Sequence, residues 1–182
     1  MSKEHRILRQ EDANTCLACS LLFVVGKMKG QIFSVEDERR LYLNSFGRHR
    51  ESFALSYLVT IQEYFPDLIV TLTVDSKSYR DYLRDLSKKA IQIEARPITI
   101  ELVRNESVGG SLIVLVDRYF FDYEIHIPHY IVVEKGEGDK FRVDDPWSGK
   151  TLSMTSTQLQ EAIFGVRYIL WWSPMIIQLH QR

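Results

Sequence analysis

The sequence predicts an α+β fold, with helices in the first half and an antiparallel sheet in the second. Three observations predict it. Up to about residue 88, apolar residues recur at helical spacing between capping residues and Gly or Pro stops. From about residue 111, apolar residues come in short runs rich in β-branched types, parted by turn residues. The length of 182 residues, with 45% hydrophobic and 26% charged, suits one globular domain spanning 1–182.

Each element follows from local chemistry. Asn14 or Thr15 can cap a helix over 16–29, with Gly30 as its stop. Ser34, followed three residues on by Asp37, resembles a capping box and opens a helix to about 46. The third helix, 53–65, repeats Leu55, Leu58, Val59, Gln62 and Phe65 along one face and ends at Pro66. Residues 68–74 alternate β-branched side chains and read as a strand, after which Asp75 or Ser76 caps a helix to about 88. A short strand over 91–95, a helix over 99–105 and a buried strand over 111–116 come next. Strands 129–134 and 140–144 flank Gly136-Glu137-Gly138-Asp139, whose glycines suit a hairpin turn. A strand at 151–154, a helix over 155–164 stopped by Gly165 and a last strand over 166–172 complete the expectation.

Charge and targeting signals exclude several function classes. There are 23 Lys plus Arg against 24 Asp plus Glu, a net charge of −1, so no general hold on nucleic acid or anionic membrane is expected. The N-terminus is polar and of mixed charge, and the first apolar run, 16–25, is half the length of a spanning helix. Two cysteines, Cys16 and Cys19, cannot make a disulfide framework. A reducing, cytoplasmic setting follows as the expectation, in which the Asn105-Glu106-Ser107 sequon is chance.

The sharpest chemical signal is Gln10, six positions before Cys16 at the head of a helix. A thiolate is the nucleophilic form of cysteine, and a helix N-terminus stabilises it through unpaired N–H groups and a partial positive charge. The Cys16 N–H and a Gln10 carboxamide could together hold an oxyanion. Such a nucleophile needs a base and a group to orient it. His129 stands at the mouth of a buried strand, and Asp145 ends the next strand before Pro146. If these strands form a hairpin, opposite residues share a constant index sum. An even sum, about 274, sets His129 beside Asp145; an odd sum brings in Asp144. The turn is not fixed by the sequence, so Asp145 is preferred and Asp144 stays a candidate.

Arg9-Gln10-Glu11-Asp12-Ala13-Asn14-Thr15-Cys16-Leu17-Ala18-Cys19, His129-Tyr130-Ile131-Val132-Val133 and Val143-Asp144-Asp145-Pro146-Trp147-Ser148-Gly149 together resemble the double-glycine-leader (bacteriocin-processing) peptidase family. That family supplies the papain-like domain of bacteriocin-exporting transporters and has stand-alone relatives. The resemblance implies a papain-like fold, with the helical half first, and thiol hydrolysis of a peptide or amide bond. It implies Cys16 as nucleophile, His129 as base, Asp145 as its orienting partner and Gln10 as oxyanion donor. It implies a peptide or protein substrate and no metal or cofactor. Leu17 stands where the family usually has Gly, a place where its side chain could crowd the substrate. Two other readings therefore stand beside the peptidase: a papain-like acyltransferase or amidase, since a fold does not dictate the acceptor, and an inactive peptide-binding domain.

Other signals are weighed against these. Cys19, ahead of Leu21, Leu22 and Phe23, reads as a packed core residue. Cys16-x-x-Cys19 could be a redox pair, but a polar loop precedes it instead of a strand. With His126 and His129 it could bind zinc, but residues three apart on a strand face opposite ways unless Pro128 breaks it. Ser148-Gly149-Lys150-Thr151 imitates a phosphate loop, yet its first Gly position is Asp144. Tyr119, Phe120, Phe121 and Tyr123 could line a substrate groove beside His129, mediate self-association or roof the core, and Trp171 and Trp172 are expected in the core and at its edge.

Overall fold

Capping chemistry sets where the helices start in the computed structural model, which describes residues 6–49, 51–87, 91–122 and 124–182. Helix α1, Cys16–Lys29, ends at Gly30 in the left-handed conformation with φ 66°. Helix α2, Val35–Ser45, has the full reciprocal capping box of Ser34 and Asp37. Helix α3, Phe53–Tyr64, starts at Ser52, whose hydroxyl accepts the Leu55 N–H. Strand β1, Leu68–Val74, leads to α4, Lys77–Ser87. Ser76 takes the Tyr79 N–H at the head of α4, and Asp75 is spent instead on the Ile98 N–H at 3.0 Å. The expected end of α4 at Lys88 lies outside the described residues.

Strand β2 is Gln92–Ala95 and α5 is Ile100–Glu106, capped by Thr99. Then come β3, Leu112–Asp117; a short α6, Tyr119–Asp122; β4, Pro128–Lys135; β5, Lys140–Asp145; and β6, Lys150–Thr155. Helix α7, Ser156–Tyr168, and β7, Met175–Gln181, end the chain.

The last two elements correct the sequence expectation. Gly165 does not stop α7, which runs on through Tyr168. Its lack of a side chain serves packing: a Cβ there would lie 2.6 Å from the Asp117 Cβ and 2.8 Å from the Phe120 ring. The strand expected over 166–172 is therefore partly helix and partly connection, and Trp171, at φ 58°, turns the chain. Trp171 and Trp172 are 85% and 48% exposed, not core. The final strand is β7, which the sequence reading did not anticipate.

β7 is also central. The strand order is β2-β1-β7-β3-β4-β5-β6, antiparallel throughout except for the parallel pair β1–β2. The sheet thus takes β1 from the helical half and β2 from just beyond it. Alternating side chains feed two cores. Helices α1 to α4 bury Leu17, Leu21, Leu58 and Leu83 against one face with Leu72, Leu115 and Ile177. On the other face α5 and α7 bury Val103, Leu159 and Ile163 with Val114, Ile131 and Val143. Helix α1 lies along β4, tied by Ser20 Oγ to the Tyr130 carbonyl at 3.4 Å and by Lys27 to Glu134. Its N-terminus is thereby brought to the end of the sheet where β4 begins. Among the described residues, no helix is long and apolar enough to cross a membrane.

Candidate active site

Cys16 is the first residue of α1 and is only 4% exposed. The N-cap Thr15 does not close the helix with its side chain. Its hydroxyl turns back and donates to the Asp12 carbonyl at 2.9 Å. No acidic residue sits in the first turn. The N–H groups and the positive end of the helix dipole at Cys16 are thus left for an external anion.

The β4–β5 register settles which aspartate meets His129. Val132 lies opposite Asp144 and Val133 opposite Val143, an even index sum of 276. His129 and Asp145 therefore share a face as diagonal neighbours. His129 Nε2 bonds Asp145 Oδ1 at 2.7 Å, and the two residues are 2% and 4% exposed. Asp144 points elsewhere, to the Thr151 hydroxyl and, at 3.5 Å, to Arg142.

Asp145 is held from several sides. Its carboxylate accepts the Trp147 N–H at 2.9 Å, the Ser148 N–H at 3.1 Å and the Ser148 hydroxyl at 2.6 Å. Burial opposes its ionised form, but the His129 and Ser148 hydrogen bonds outweigh burial and lower its pKa. The Cys16 side chain is near enough to the His129 ring to act on its charge. Burial works against the protonated ring; Asp145 and Cys16 together overcome it and raise the His129 pKa to about 9. With Nε2 taken by Asp145, Nδ1 is the ring nitrogen left for the thiol.

Gln10 is buried on the loop leading to α1. Its backbone N–H donates to the Pro146 carbonyl at 2.8 Å, joining this loop to the Asp145 turn. Its carboxamide nitrogen donates to the Asp12 carbonyl at 2.7 Å, and its Oε1 has no hydrogen-bond partner among the described residues. Gly149, at φ 67°, lets the two segments meet: a Cβ there would lie 3.0 Å from the Arg9 Cβ. Gly149 and Ser148 thus serve the Asp145 turn, not a phosphate.

Leu17 does not crowd the site, because its side chain is fully buried in the core beneath α1. Cys19 is likewise core at 1% exposed, and burial foremost pushes its pKa up. His126 pairs with Asp117 at 2.6 Å instead of joining His129 and the cysteines. Phe121 sets its ring edge-on to His129 at 6.3 Å, so the aromatic segment does border the site; Tyr123 lies outside the described residues.

Sequence reasoning missed three neighbours. Trp147 stands edge-on to His129 at 6.5 Å, with the Arg118 guanidinium over its ring at 3.8 Å. Trp147 sits in the same Asp-Pro segment, and an aromatic two residues past a candidate carboxylate was the available signal. Arg118 carried no sequence signal, nor did Glu38, which is 1% exposed and accepts the Glu11 N–H on the Gln10 loop at 3.2 Å.

No protein-family model and no curated protein matches the chain. Solved structures do. The peptidase domain of Streptococcus ComA, a bifunctional ABC transporter of a quorum-sensing pathway, is similar at 18% identity and a TM-score of 0.57, covering 98% of this chain and 100% of that one. A double glycine motif protease from an AMS/PCAT transporter, solved with its leader peptide, is similar at 14% identity and a TM-score of 0.55, covering 99% of this chain and 96% of that one. The α+β, papain-like fold expected from the sequence is the fold this chain shares, end to end, with those two peptidase domains.

Proposed function

We propose that the chain is a cysteine peptidase, a single domain over 1–182 that hydrolyses a peptide or amide bond through Cys16, His129, Asp145 and Gln10. The observation that supports it most is the buried His129 ring, held by the Asp145 carboxylate at 2.7 Å, with Cys16 near enough to raise its pKa. The likeness to two peptidase domains supports the same reading, and the leader peptide bound to one of them points to a peptide as substrate. Leu17, buried in the core, gives no reason to read the site as silent.

In this mechanism His129 takes the Cys16 proton, and the sulfur attacks the carbonyl carbon. The oxyanion is held by the free N–H groups at the start of α1, with Gln10 as second donor. His129 then protonates the leaving amine, and water, activated by the same ring, releases the acyl group from sulfur. Asp145 orients the ring and stabilises its protonated form throughout. A thiolate nucleophile must be kept reduced to work, and a cytoplasmic setting would keep it so.

The test is selective alkylation. At pH 6, iodoacetamide is expected to label Cys16 faster than free cysteine, with labelling lost in Cys16→Ala and kept in Cys19→Ala. A peptide carrying Gly-Gly before its scissile bond should then leave a Cys16 acyl-enzyme visible by mass spectrometry. Labelling of Cys19 instead, or of neither cysteine, would overturn the assignment.

A further inference from the structure

Helix α2 buries one side chain that its own stability does not require. Glu36, Asp37 and Glu38 all lie in its first turn, where negative charge suits the helix dipole. That benefit needs no burial, and Ser34 and Asp37 already cap the helix. Glu38 nevertheless lies at 1% exposure on the stripe it shares with Leu41 and Ser45. A carboxylate is costly there unless it is well bonded. A leucine at 38 would extend the apolar stripe at no such cost, so the reason for the acid is sought in what it holds.

It holds the loop that carries Gln10. Glu38 Oε1 accepts the Glu11 N–H at 3.2 Å, while Oε2 has no hydrogen-bond partner among the described residues. Gln10 is thus gripped on both sides: its own N–H by the Pro146 carbonyl at 2.8 Å, and the next N–H by Glu38. The exposed ion pair of Arg39 with Glu11, at 2.8 Å, repeats the link between α2 and the loop but contributes little by itself. The same carboxylate faces the Cys19 thiol; burial first and Glu38 second push that thiol's pKa up. Cys19 therefore stays a neutral neighbour one turn from Cys16.

We propose that Glu38 is a positioning residue, which fixes the Gln10 loop against α1 so that the Gln10 carboxamide can serve the oxyanion formed at Cys16. This rests on the peptidase reading above. Two reagents separate the two claims. Iodoacetamide is displaced at a methylene carbon, with iodide leaving, and forms no oxyanion. p-Nitrophenyl acetate is attacked at its carbonyl: the S–C bond forms, a tetrahedral oxyanion follows, and p-nitrophenolate leaves. The first rate reads the thiolate alone, and the second also reads the oxyanion donors.

Glu38→Met should slow acylation by p-nitrophenyl acetate roughly tenfold, a fraction of the loss expected when an oxyanion donor is removed outright. Alkylation of Cys16 by iodoacetamide should change less than about twofold. Glu38→Gln, which keeps the Oε1 acceptor, should restore most of the acylation rate. Glu38→Met combined with Gln10→Ala should be no slower than Gln10→Ala alone, because one residue acts through the other. If Glu38→Met fails to fold, Glu38→Asp withdraws the acceptor by one methylene and carries the same expectations. Equal loss in both reactions, additive losses with Gln10→Ala, or no loss of acylation would overturn the positioning role while leaving the triad intact. Failure of wild-type Cys16 to be alkylated selectively would overturn the peptidase reading itself.

Discussion

Two His–Asp pairs stand at the same end of the sheet, three residues apart along the approach to β4. His129 meets Asp145 at 2.7 Å and His126 meets Asp117 at 2.6 Å. Both aspartates end strands, and both are buried, at 4% and 0% exposed. The pairs differ in what lies beyond the imidazole. The His129 ring is buried, engages Asp145 through Nε2 and has Cys16 near enough to raise its pKa. The His126 side chain is 37% exposed, engages Asp117 through Nδ1 and stacks on Tyr119 at 4.1 Å. A short hydrogen bond to a buried carboxylate is thus not what distinguishes a candidate base. The distinction is a thiol at a helix N-terminus and a ring withdrawn from water.

The largest expected effects test that distinction directly. His129→Ala should lower turnover of p-nitrophenyl acetate by about 10²–10⁴, the usual worth of a positioned acid–base group. His126→Ala should change it by no more than about twofold, as a partly exposed group away from the reacting atoms. Comparable losses in both variants would erase the contrast. Next in size is Asp145→Asn, with a loss of about 10² or more, since the ring would lose its countercharge and a carboxamide, which can turn either its C=O or its NH₂ to the imidazole, no longer enforces one tautomer. Asp144→Asn is the matched control. Asp144 holds Thr151 and Arg142 instead of His129, so it should leave the rate near wild type.

What the sequence made legible divides along the line between local and tertiary causes. Helix starts at Ser34 and Ser76 were readable because each hydroxyl accepts a backbone N–H three residues on, a purely local bond. The candidate site was readable in its residue types: Cys16 at a helix start, His129 at a strand start, an aspartate before Pro146. Which aspartate meets the ring was not readable, because it depends on a register set by the hairpin turn. The end of the chain was misread for a related reason. Gly165 looks like a helix stop, but it is Gly because Asp117 lies 2.6 Å from where its Cβ would be, a fact about β3 and not about α7. The apolar stretch around Trp171 and Trp172 resembled a buried strand, yet a positive φ turns it out to solvent and leaves the place between β1 and β3 to β7. Glu38 was hidden by two acidic neighbours that make all three look like solvated helix-start residues.

Effects on stability should be smaller and should follow the same pair. The His129 pKa is raised from 6.5 to about 9, so the pair's contribution is complete below about pH 6.5 and is lost as pH rises through about 9. The Asp145 pKa is lowered from 3.8, so its contribution is present above 3.8 and is lost as pH falls through the lowered value. Thermal unfolding should therefore show a plateau across mildly acidic to neutral pH with a decline on the alkaline side. The alkaline decline should flatten in Asp145→Asn. Because Cys16 helps raise the His129 pKa, the ring's NMR titration midpoint should move down in Cys16→Ala. A midpoint that stays put would mean that Asp145 alone sets it, and the two pairs would then be more alike than their surroundings suggest.

The smallest effect approaches the contrast from the other pair. Gly165→Ala places a methyl group 2.6 Å from the Asp117 Cβ and 2.8 Å from the Phe120 ring, so α7 and β3 must separate or Asp117 must shift. Overpacking of this kind costs about 1–3 kcal/mol, read as a fall in Tm. The displaced carboxylate should release His126, whose ring bonds Asp117 Oδ2, the oxygen the new methyl would also crowd. Cys16 and Asp145 lie on other elements, α1 and β5, so the rate of Cys16 alkylation per folded molecule should hold. One route could carry the disturbance across: Phe120 is followed by Phe121, whose ring edge rests on His129 at 6.3 Å. If alkylation falls together with Tm, that aromatic bridge couples the pairs, and His126–Asp117 becomes a support of the site instead of its unused likeness.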